Sequence, residues 1–204
     1  MTGEADIREK IVLATIECFE AHGIERTTVR RIAQRAGVNT AAVNYYFGTK
    51  DRLVRQVLER MMDTAFTGQL RDIRAEAGEL PPFELLRRYL LETLAGAVNY
   101  PGLSRSALYR TFQRHEDSRL FESALNDFLL EMAEVLRPAV RMDEAVLRLT
   151  LAQVLAVMLC ASLMPEAFRP TLGAGLSDPA EQERWIDHLI SVHFPVALRT
   201  TPGV

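Results

Sequence analysis

The segment 27–50, TTVRRIAQRAGVNTAAVNYYFGTK, constrains the fold of this chain more than any other segment does. Apolar residues recur at helical spacing on both sides of Gly37, which permits a backbone angle that other residues avoid. Asn39 is a favourable N-cap for a helix over residues 40–46, and Val38 can fill the angle between that helix and the preceding one. We therefore predict two short helices joined by a tight turn, the layout of a helix-turn-helix.

Helical spacing separates the two faces of the second of these helices. Val43 and Phe47 are four residues apart, so we expect both to point into the core. The opposite face then presents small residues first and polar and aromatic residues beyond them: Thr40, Ala41, Asn44 and Tyr45. A face of this kind fits the major groove, where Asn pairs with adenine and Thr or Ala methyl groups contact thymine. The alternative interpretation is that the tyrosines pack on the first helix and the arginines form an ordinary solvated face.

The charge distribution favours contact with phosphate at one end of the chain. The formal net charge is −3, which by itself argues against a nucleic-acid ligand. Residues 26–55, however, carry seven basic side chains and one acidic side chain, a balance of +6, whereas the other residues have a balance of −9. A positive patch on an acidic body is typical of a protein that contacts DNA through one surface.

The rest of the chain also reads as helical, so we predict an all-α fold of about nine helices. After a first helix over residues 4–22, with Gly23 just past its end, and the two helices described above, six more are expected at 50–77, 83–99, 103–113, 117–136, 143–164 and 179–197. Thr27 or Thr28 caps the second helix, and Thr49, Asp143 and Asp178 are expected caps further along. The Gly/Pro-rich stretch 169–177 is predicted to be a loop. We place a domain boundary near residue 48, between domains 1–48 and 49–204.

The segment 145–164 is the most apolar in the chain, but it does not predict a membrane span. Arg148, Thr150 and Gln153 interrupt it, so a helix buried among others is expected. The first ten residues lack the apolar run of a secretion signal, which predicts a cytoplasmic protein without a membrane partner. Cys18 and Cys160 have apolar neighbours in sequence and are interpreted as core residues.

The N-terminal segment resembles the DNA-binding domain of the TetR family of bacterial transcriptional repressors. The resemblance covers about residues 7–55 and rests on motifs that match in register: Phe19, Gly23, Thr27-Thr28-Val29, Ile32-Ala33, Ala36-Gly37-Val38, Asn44-Tyr45-Tyr46-Phe47 and Lys50. It implies that one set of side chains grips phosphates: Thr28, Tyr45, Tyr46 and Lys50. It implies that a second set lies near base edges: Arg30, Thr40, Ala41 and Asn44. Four residues depart from the commoner family pattern and leave the operator sequence open: Asn39, Ala41, Asn44 and Tyr46.

The same resemblance implies a helical regulatory domain that dimerises through its last two long helices, here 143–164 and 179–197. It also implies a small-molecule effector, a ligand that releases the repressor from double-stranded operator DNA. We predict a largely apolar effector, with Tyr109, Gln113 or His115 as polar anchors. The candidate lining residues are Phe66, Leu70, Leu86, Tyr89, Leu90, Tyr109, Phe112, Phe121, Leu125, Phe128 and Met158. A plain hydrophobic core explains these residues as well as a pocket does.

Two other function classes remain as alternatives. An enzyme is not expected, because the sequence has no nucleotide-binding glycine motif, HExxH pair or nucleophile motif, although a catalytic group assembled in space is possible. For the same reason we expect no catalytic residues, metal or cofactor. A non-specific architectural DNA-binding protein is the third hypothesis, and the acidic body disfavours it.

Overall fold

The computed structural model describes residues 3–113, 115–173 and 175–195, and it is helical over nearly all of them. Within these ranges the side chains of residues 3, 62, 65–67, 107, 110–113, 115–118, 120, 168, 171 and 172 lie outside the description. In the described part of the chain the one β feature is an isolated bridge between Ala77 and Leu80. The predicted all-α fold, with an N-terminal helix-turn-helix followed by further helices, is confirmed.

In chain order, one group of four α-helices in the described chain precedes the π-helical segment Asp63–Gly68, and a second group of seven follows it. The first group is α1 (Gly3–Arg26), α2 (Val29–Ala36), α3 (Thr40–Phe47) and α4 (Lys50–Met62). The second group is α5 (Gln69–Glu76), α6 (Pro82–Asn99), α7 (Pro101–Gln113), α8 (His115–Leu136), α9 (Glu144–Leu163), α10 (Arg169–Leu172) and α11 (Pro179–His193).

The N-terminal compact unit comprises Met1–Asp63 and Tyr100–Phe121. Its helices α1, α2, α3, α4 and α7 enclose a core of fully buried apolar side chains that includes Ile11, Phe19, Ile32, Val43, Leu53, Val57 and Leu103. Gly23 adopts φ 75°, which kinks α1 at the position where the sequence predicts its end.

Helix α7 is part of this N-terminal unit because α1 binds its first turn. The Glu20 carboxylate accepts hydrogen bonds from the backbone N–H groups of Gly102 (3.0 Å) and Leu103 (2.8 Å), which have no partner within their own helix. The compact unit therefore extends past the predicted boundary near residue 48, through α4 to Asp63, and it takes in a helix from the second predicted domain. A carboxylate 82 residues away from the helix it caps leaves no local pattern in the sequence.

The second compact unit comprises Thr64–Asn99 and Glu122–Val204. Helix α6 packs against α9 and α11, and its apolar face includes Leu86, Leu90 and Leu94, all 0% exposed. The Arg87 guanidinium links α6 to α11 by hydrogen bonds to Asp187 (2.6 Å) and Glu183 (3.2 Å). Within the described chain Glu144–Leu163 alone is long and apolar enough to cross a membrane, a weak indication, because a core helix passes the same test and 44% of its apolar window is buried.

Three predictions about the elements were wrong in detail. The predicted helix 50–77 is interrupted by a π-helical segment, Asp63–Gly68, where Gly and Thr weaken the α-helical preference. The predicted loop 169–177 contains α10, since Pro170 in a first turn is compatible with a helix. The last helix ends at His193 and not near 197, just before Pro195.

The two cysteines differ in environment. Cys18 is buried in the N-terminal core as predicted, but Cys160 is exposed. It lies on the outward face of α9, where apolar neighbours in sequence also face solvent, so local hydrophobicity did not indicate burial there.

Candidate nucleic-acid interface

Local hydrogen bonds set the geometry of the turn between α2 and α3. The Thr28 hydroxyl caps α2 by accepting from the backbone N–H of Arg31 at 3.3 Å, and the Asn39 carboxamide caps α3 by accepting from that of Ala42 at 2.8 Å. Gly37 between them has φ 68° and ψ 29°, a left-handed conformation that favours glycine. The turn that the sequence predicts is therefore formed by the residues expected to form it.

The two faces of α3 are arranged as predicted. Val43 and Phe47 are 2% and 3% exposed and lie in the N-terminal core. The outward residues are exposed to solvent: Thr40, Ala41, Asn44 and Tyr45. Asn44 makes no side-chain hydrogen bond to any residue that the structure describes, so its amide group is available to a ligand.

The two tyrosines of α3 have different environments: one packs against the core, as the alternative interpretation expects, and the other faces solvent, as DNA contact requires. Tyr46 is half-buried against the N-terminal core, whereas Tyr45 is 78% exposed. Their rings meet edge to face, with centroids 5.1 Å apart and an interplanar angle of 84°. The packing of Tyr46 thus supports the outward position of Tyr45.

The cations of this surface are only partly neutralised. Arg30 is exposed, and Lys50 at the start of α4 is half-buried with its Nζ 3.4 Å from the backbone carbonyl of Glu25. Arg31 donates to the carbonyl of Arg26 at 2.9 Å. Arg35 instead forms an ion pair with Glu17, which raises the pKa of its guanidinium. All eight predicted DNA-contacting residues, Thr28, Arg30, Thr40, Ala41, Asn44, Tyr45, Tyr46 and Lys50, are exposed or half-buried in the N-terminal unit.

The predicted effector-lining residues do not form a single group. Six are buried within the second unit: Leu70, Leu86, Tyr89, Leu90, Phe128 and Met158. Leu125 is half-buried in that unit, whereas Phe121 and Tyr109, the latter 58% exposed, belong to the N-terminal unit. The side chains of Phe66, Phe112, Gln113 and His115 lie outside the described residues.

A cavity in the second unit has polar walls that the sequence reasoning missed. Of the predicted lining residues whose side chains the structure describes, only Tyr89 contributes to it, together with the polar side chains Gln69, Asp72, Glu76, Arg88 and Glu92. The polar anchors predicted from the sequence, Tyr109, Gln113 or His115, are not among the described residues that line it. The pair Asp72 and Glu76, four apart on one helix face, was a signal for it.

Comparison with known proteins identifies the family. Residues 11–57, which contain α2, the turn and α3, match the family model for bacterial regulatory proteins of the tetR family. The N-terminal domain of this chain belongs to the TetR family. Among relatives of the chain, the HTH-type transcriptional regulator BetI of Stenotrophomonas maltophilia (strain R551-3) is 28% identical over 137 residues. That match covers 59% of this chain and 66% of the relative, slightly less than two thirds of its length.

Solved structures share the TetR fold over almost the whole chain. A crystal structure described as a TetR-family transcriptional regulator from Mesorhizobium loti superposes with a TM-score of 0.72 at 16% identity, covering 96% of this chain and 98% of that one. A transcriptional regulator from Saccharomonospora viridis, solved in complex with choline, gives a TM-score of 0.71 at 14% identity, covering 92% and 96%. At these identities the likeness is one of fold.

Proposed function

We propose that this TetR-family protein is a transcriptional repressor that binds double-stranded operator DNA through α3. The observation that carries the proposal is the exposed face of Thr40, Asn44 and Tyr45 opposite the buried Val43 and Phe47. In this proposal Thr28, Tyr45, Tyr46 and Lys50 contact phosphates, whereas Arg30, Thr40, Ala41 and Asn44 lie near base edges. The phosphate contacts set the register, and the base contacts give sequence preference.

We infer that the protein acts as a homodimer formed through its last two long helices, α9 and α11. Six residues on one face of α9 and the residue that follows its last turn are exposed, and most of them are apolar: Val146, Leu149, Gln153, Ala156, Val157, Cys160 and Met164. Val192 of α11 is 57% exposed. Such a face is expected to be covered by a partner. Two-fold symmetry also suits a short reading helix, since partners about 34–36 Å apart contact successive turns of the major groove.

We further propose that a small-molecule effector bound in the second unit releases the operator. A ligand shifts the population toward a non-binding dimer only in proportion to its differential affinity for the two states. The choline-bound structure from Saccharomonospora viridis indicates that this fold can hold a small ligand. The largely apolar effector predicted from the sequence remains untested, and the polar-walled cavity favours a different chemistry. Because its target is chromosomal, we place the protein in the cytoplasm.

Selection of binding sites from random duplex DNA, followed by footprinting at modest salt without added ligand, tests the central proposal. We expect a protected palindrome with two half-sites about one helical turn apart. Affinity for it should fall steeply with salt, yet exceed that for scrambled duplex at every salt concentration.

Equal binding to all sequences would instead favour the architectural alternative. No protection of any palindrome would contradict the proposal, and turnover of a bound metabolite would favour the enzyme alternative.

A further inference from the structure

The polar-walled cavity between α5 and α6 has the features of a binding site. Its volume is about 150 Å³, comparable to that of an engineered cavity that holds benzene. Tyr89 is 3% exposed and forms its inner part, with the ring stacked on Phe128 at a centroid distance of 3.9 Å. Asp72 and Glu92 also line it and are exposed to solvent.

The charge of the cavity wall is negative. Asp72, Glu76 and Glu92 contribute three carboxylates, and Arg88 contributes one cation. Arg88 forms an ion pair with Glu76, whereas its Nε lies 3.9 Å from the Glu92 carboxylate, the limit of an ion pair. No ion pair to Asp72 occurs among the residues that the structure describes. Two carboxylates thus remain largely uncompensated, which favours a cationic ligand.

Two buried polar atoms in the same cavity lack partners. The Tyr89 hydroxyl and the Gln69 Oε1 atom make no hydrogen bond to any described residue. Gln69 donates through Nε2 to Glu92 at 3.5 Å, an orientation that leaves its carbonyl oxygen as a free acceptor. Burial raises the pKa of the Tyr89 phenol, so the phenol is neutral at physiological pH. The Thr93 hydroxyl, one turn further along α6, is a polar neighbour that lowers this pKa, but it is not in hydrogen-bonding geometry with the phenol and itself lacks a partner in the described part of the chain. A buried polar atom without a partner is costly, so the Gln69 carbonyl oxygen, which can only accept, indicates a ligand with a hydrogen-bond donor, and the Tyr89 hydroxyl can accept a second such bond.

The arrangement of the carboxylates in the wall favours an organic cation over a metal ion as the ligand. No group of three or more His, Cys, Asp or Glu side chains in the described part of the chain could hold a metal. The carboxylates are therefore spread along the wall, an arrangement that suits an extended cation.

We propose that this cavity binds a small protonated alkylamine, whose ammonium N–H groups donate to Gln69 Oε1 and Tyr89 Oη and whose charge is balanced by Asp72 and Glu92. A ligand of roughly six to ten non-hydrogen atoms matches the cavity volume of about 150 Å³. The binding site itself does not depend on the proposed repressor function. Only the assignment of this amine as the effector rests on it.

Calorimetric titration of the full chain with 1,4-diaminobutane tests the site without DNA. We expect saturable binding of the diamine and none of 1,4-butanediol, which has the same length without charge. Choline should bind more weakly than the diamine, because its quaternary nitrogen has no N–H. Glu92→Gln should weaken diamine binding by about tenfold or more, the usual effect of losing a charged hydrogen-bond partner.

Tyr89→Phe separates ligand binding from folding. The substitution removes a buried hydroxyl that has no partner, so we expect an unchanged or higher free energy of unfolding together with weaker diamine binding. Glu84→Gln is the matched control, since Glu84 is an exposed acid on α6 that does not line the cavity, and it should bind the diamine like the natural chain.

Three results would overturn the proposal: no saturable heat with millimolar diamine, equal binding of diamine and diol, or unchanged binding after both Tyr89→Phe and Glu92→Gln. Choline binding as tight as that of the diamine would overturn the assignment of N–H donors. If the chain selects an operator but binds no amine, only this inference fails. If it binds the amine as described but protects no DNA, the proposed repressor function fails and the binding site stands.

Discussion

Thr27 and Thr28 are adjacent in sequence, yet they have different roles that only their surroundings define. Thr28 is exposed and caps α2. Thr27 is 1% exposed, and its hydroxyl lies 2.8 Å from the carbonyl oxygen of Gly23 and 3.1 Å from that of Cys18. The Thr27 hydroxyl thereby provides a hydrogen-bond donor for backbone carbonyl groups at and before the kink of α1.

Thr27→Val should lower the free energy of unfolding by about 1–3 kcal/mol, because buried carbonyl groups lose their donor while the shape of the side chain is kept. Urea denaturation followed by circular dichroism measures this. Thr40→Val, at an exposed position of the same unit, should stay within about 0.5 kcal/mol of the natural chain. Equal stabilities of the two variants would show that the Thr27 hydroxyl is dispensable.

Asn44 and Lys50 should affect DNA binding in different ways. Asn44→Ala is expected to relax preference at one position of the selected operator, at a cost of about 1–3 kcal/mol. Lys50→Ala should weaken binding to all sequences and reduce the salt slope by about one. Titrations of specific and scrambled duplexes at several salt concentrations separate the two effects.

Asn126→Ala and Arg141→Ala, both at exposed positions in the second unit, are the matched controls and should bind like the natural chain. A parallel loss on both duplexes for Asn44→Ala would contradict a base-reading role.

At the scale of elements, the attachment of α7 to α1 shows how one glycine can determine packing. A Cβ atom on Gly102 would lie 2.5 Å from the backbone carbonyl oxygen of Glu20. The close approach brings the Glu20 carboxylate within reach of the first turn of α7. A residue with any side chain at position 102 therefore pushes the two helices apart.

Gly102→Ala should destabilise the protein by about 1–3 kcal/mol, as expected for an overpacked contact. Gly96→Ala is the matched control, because Gly96 lies within α6 and a Cβ atom there meets nothing within 4 Å. That change should raise stability by roughly 0.8–1 kcal/mol through helix propensity. Thermal and urea unfolding of the two variants should shift in opposite directions, and a shift of the same sign would contradict this account of the α1–α7 contact.

At the scale of the whole molecule, the exposed apolar face of α9 is unlike the surface expected of a monomer. Leu149 is 60% exposed and Val146 45% on this helix, and Met164, the residue that follows its last turn, is 51% exposed. Helix α9 is also long and apolar enough to cross a membrane, although 44% of its apolar window is buried inside the protein. A homodimer would cover this face.

Leu149→Glu should therefore convert a dimer into a monomer at micromolar concentration, since it places a charge in an apolar interface. Sedimentation equilibrium measures the mass, and the helical circular dichroism signal should be retained. Leu130→Glu on α8, where Leu130 is 46% exposed, is the matched control and should remain dimeric. A natural chain that sediments as a monomer would contradict the dimer, as would a dimeric Leu149→Glu variant.

The helix-turn-helix could be predicted because its determinants are local. The caps at Asn39, Thr49, Asp143 and Asp178 were each predicted and are each present, since a capping side chain bonds within two or three residues of itself. The burial of Val43 and Phe47 likewise follows from their spacing of four residues on one helix.

Apolar spacing could not show which apolar residues face a cavity, a partner or the core. Leu86 and Leu90, predicted to line a pocket, are fully buried, which fits a core position as well as a pocket-lining one. Cys160 was predicted to lie in the core, yet it is exposed. Periodicity defines a face of a helix but not what covers it.

By itself, then, the sequence determined the helices, their caps and the exposed reading face of α3, because these depend on residues within one or two helical turns. The tertiary structure alone decided that Glu20 holds α7 in the N-terminal unit and that Tyr89, Asp72 and Glu92 surround one negatively charged cavity. Those arrangements join side chains on different helices, and the free energy that selects them comes from contacts that no local pattern in the chain encodes.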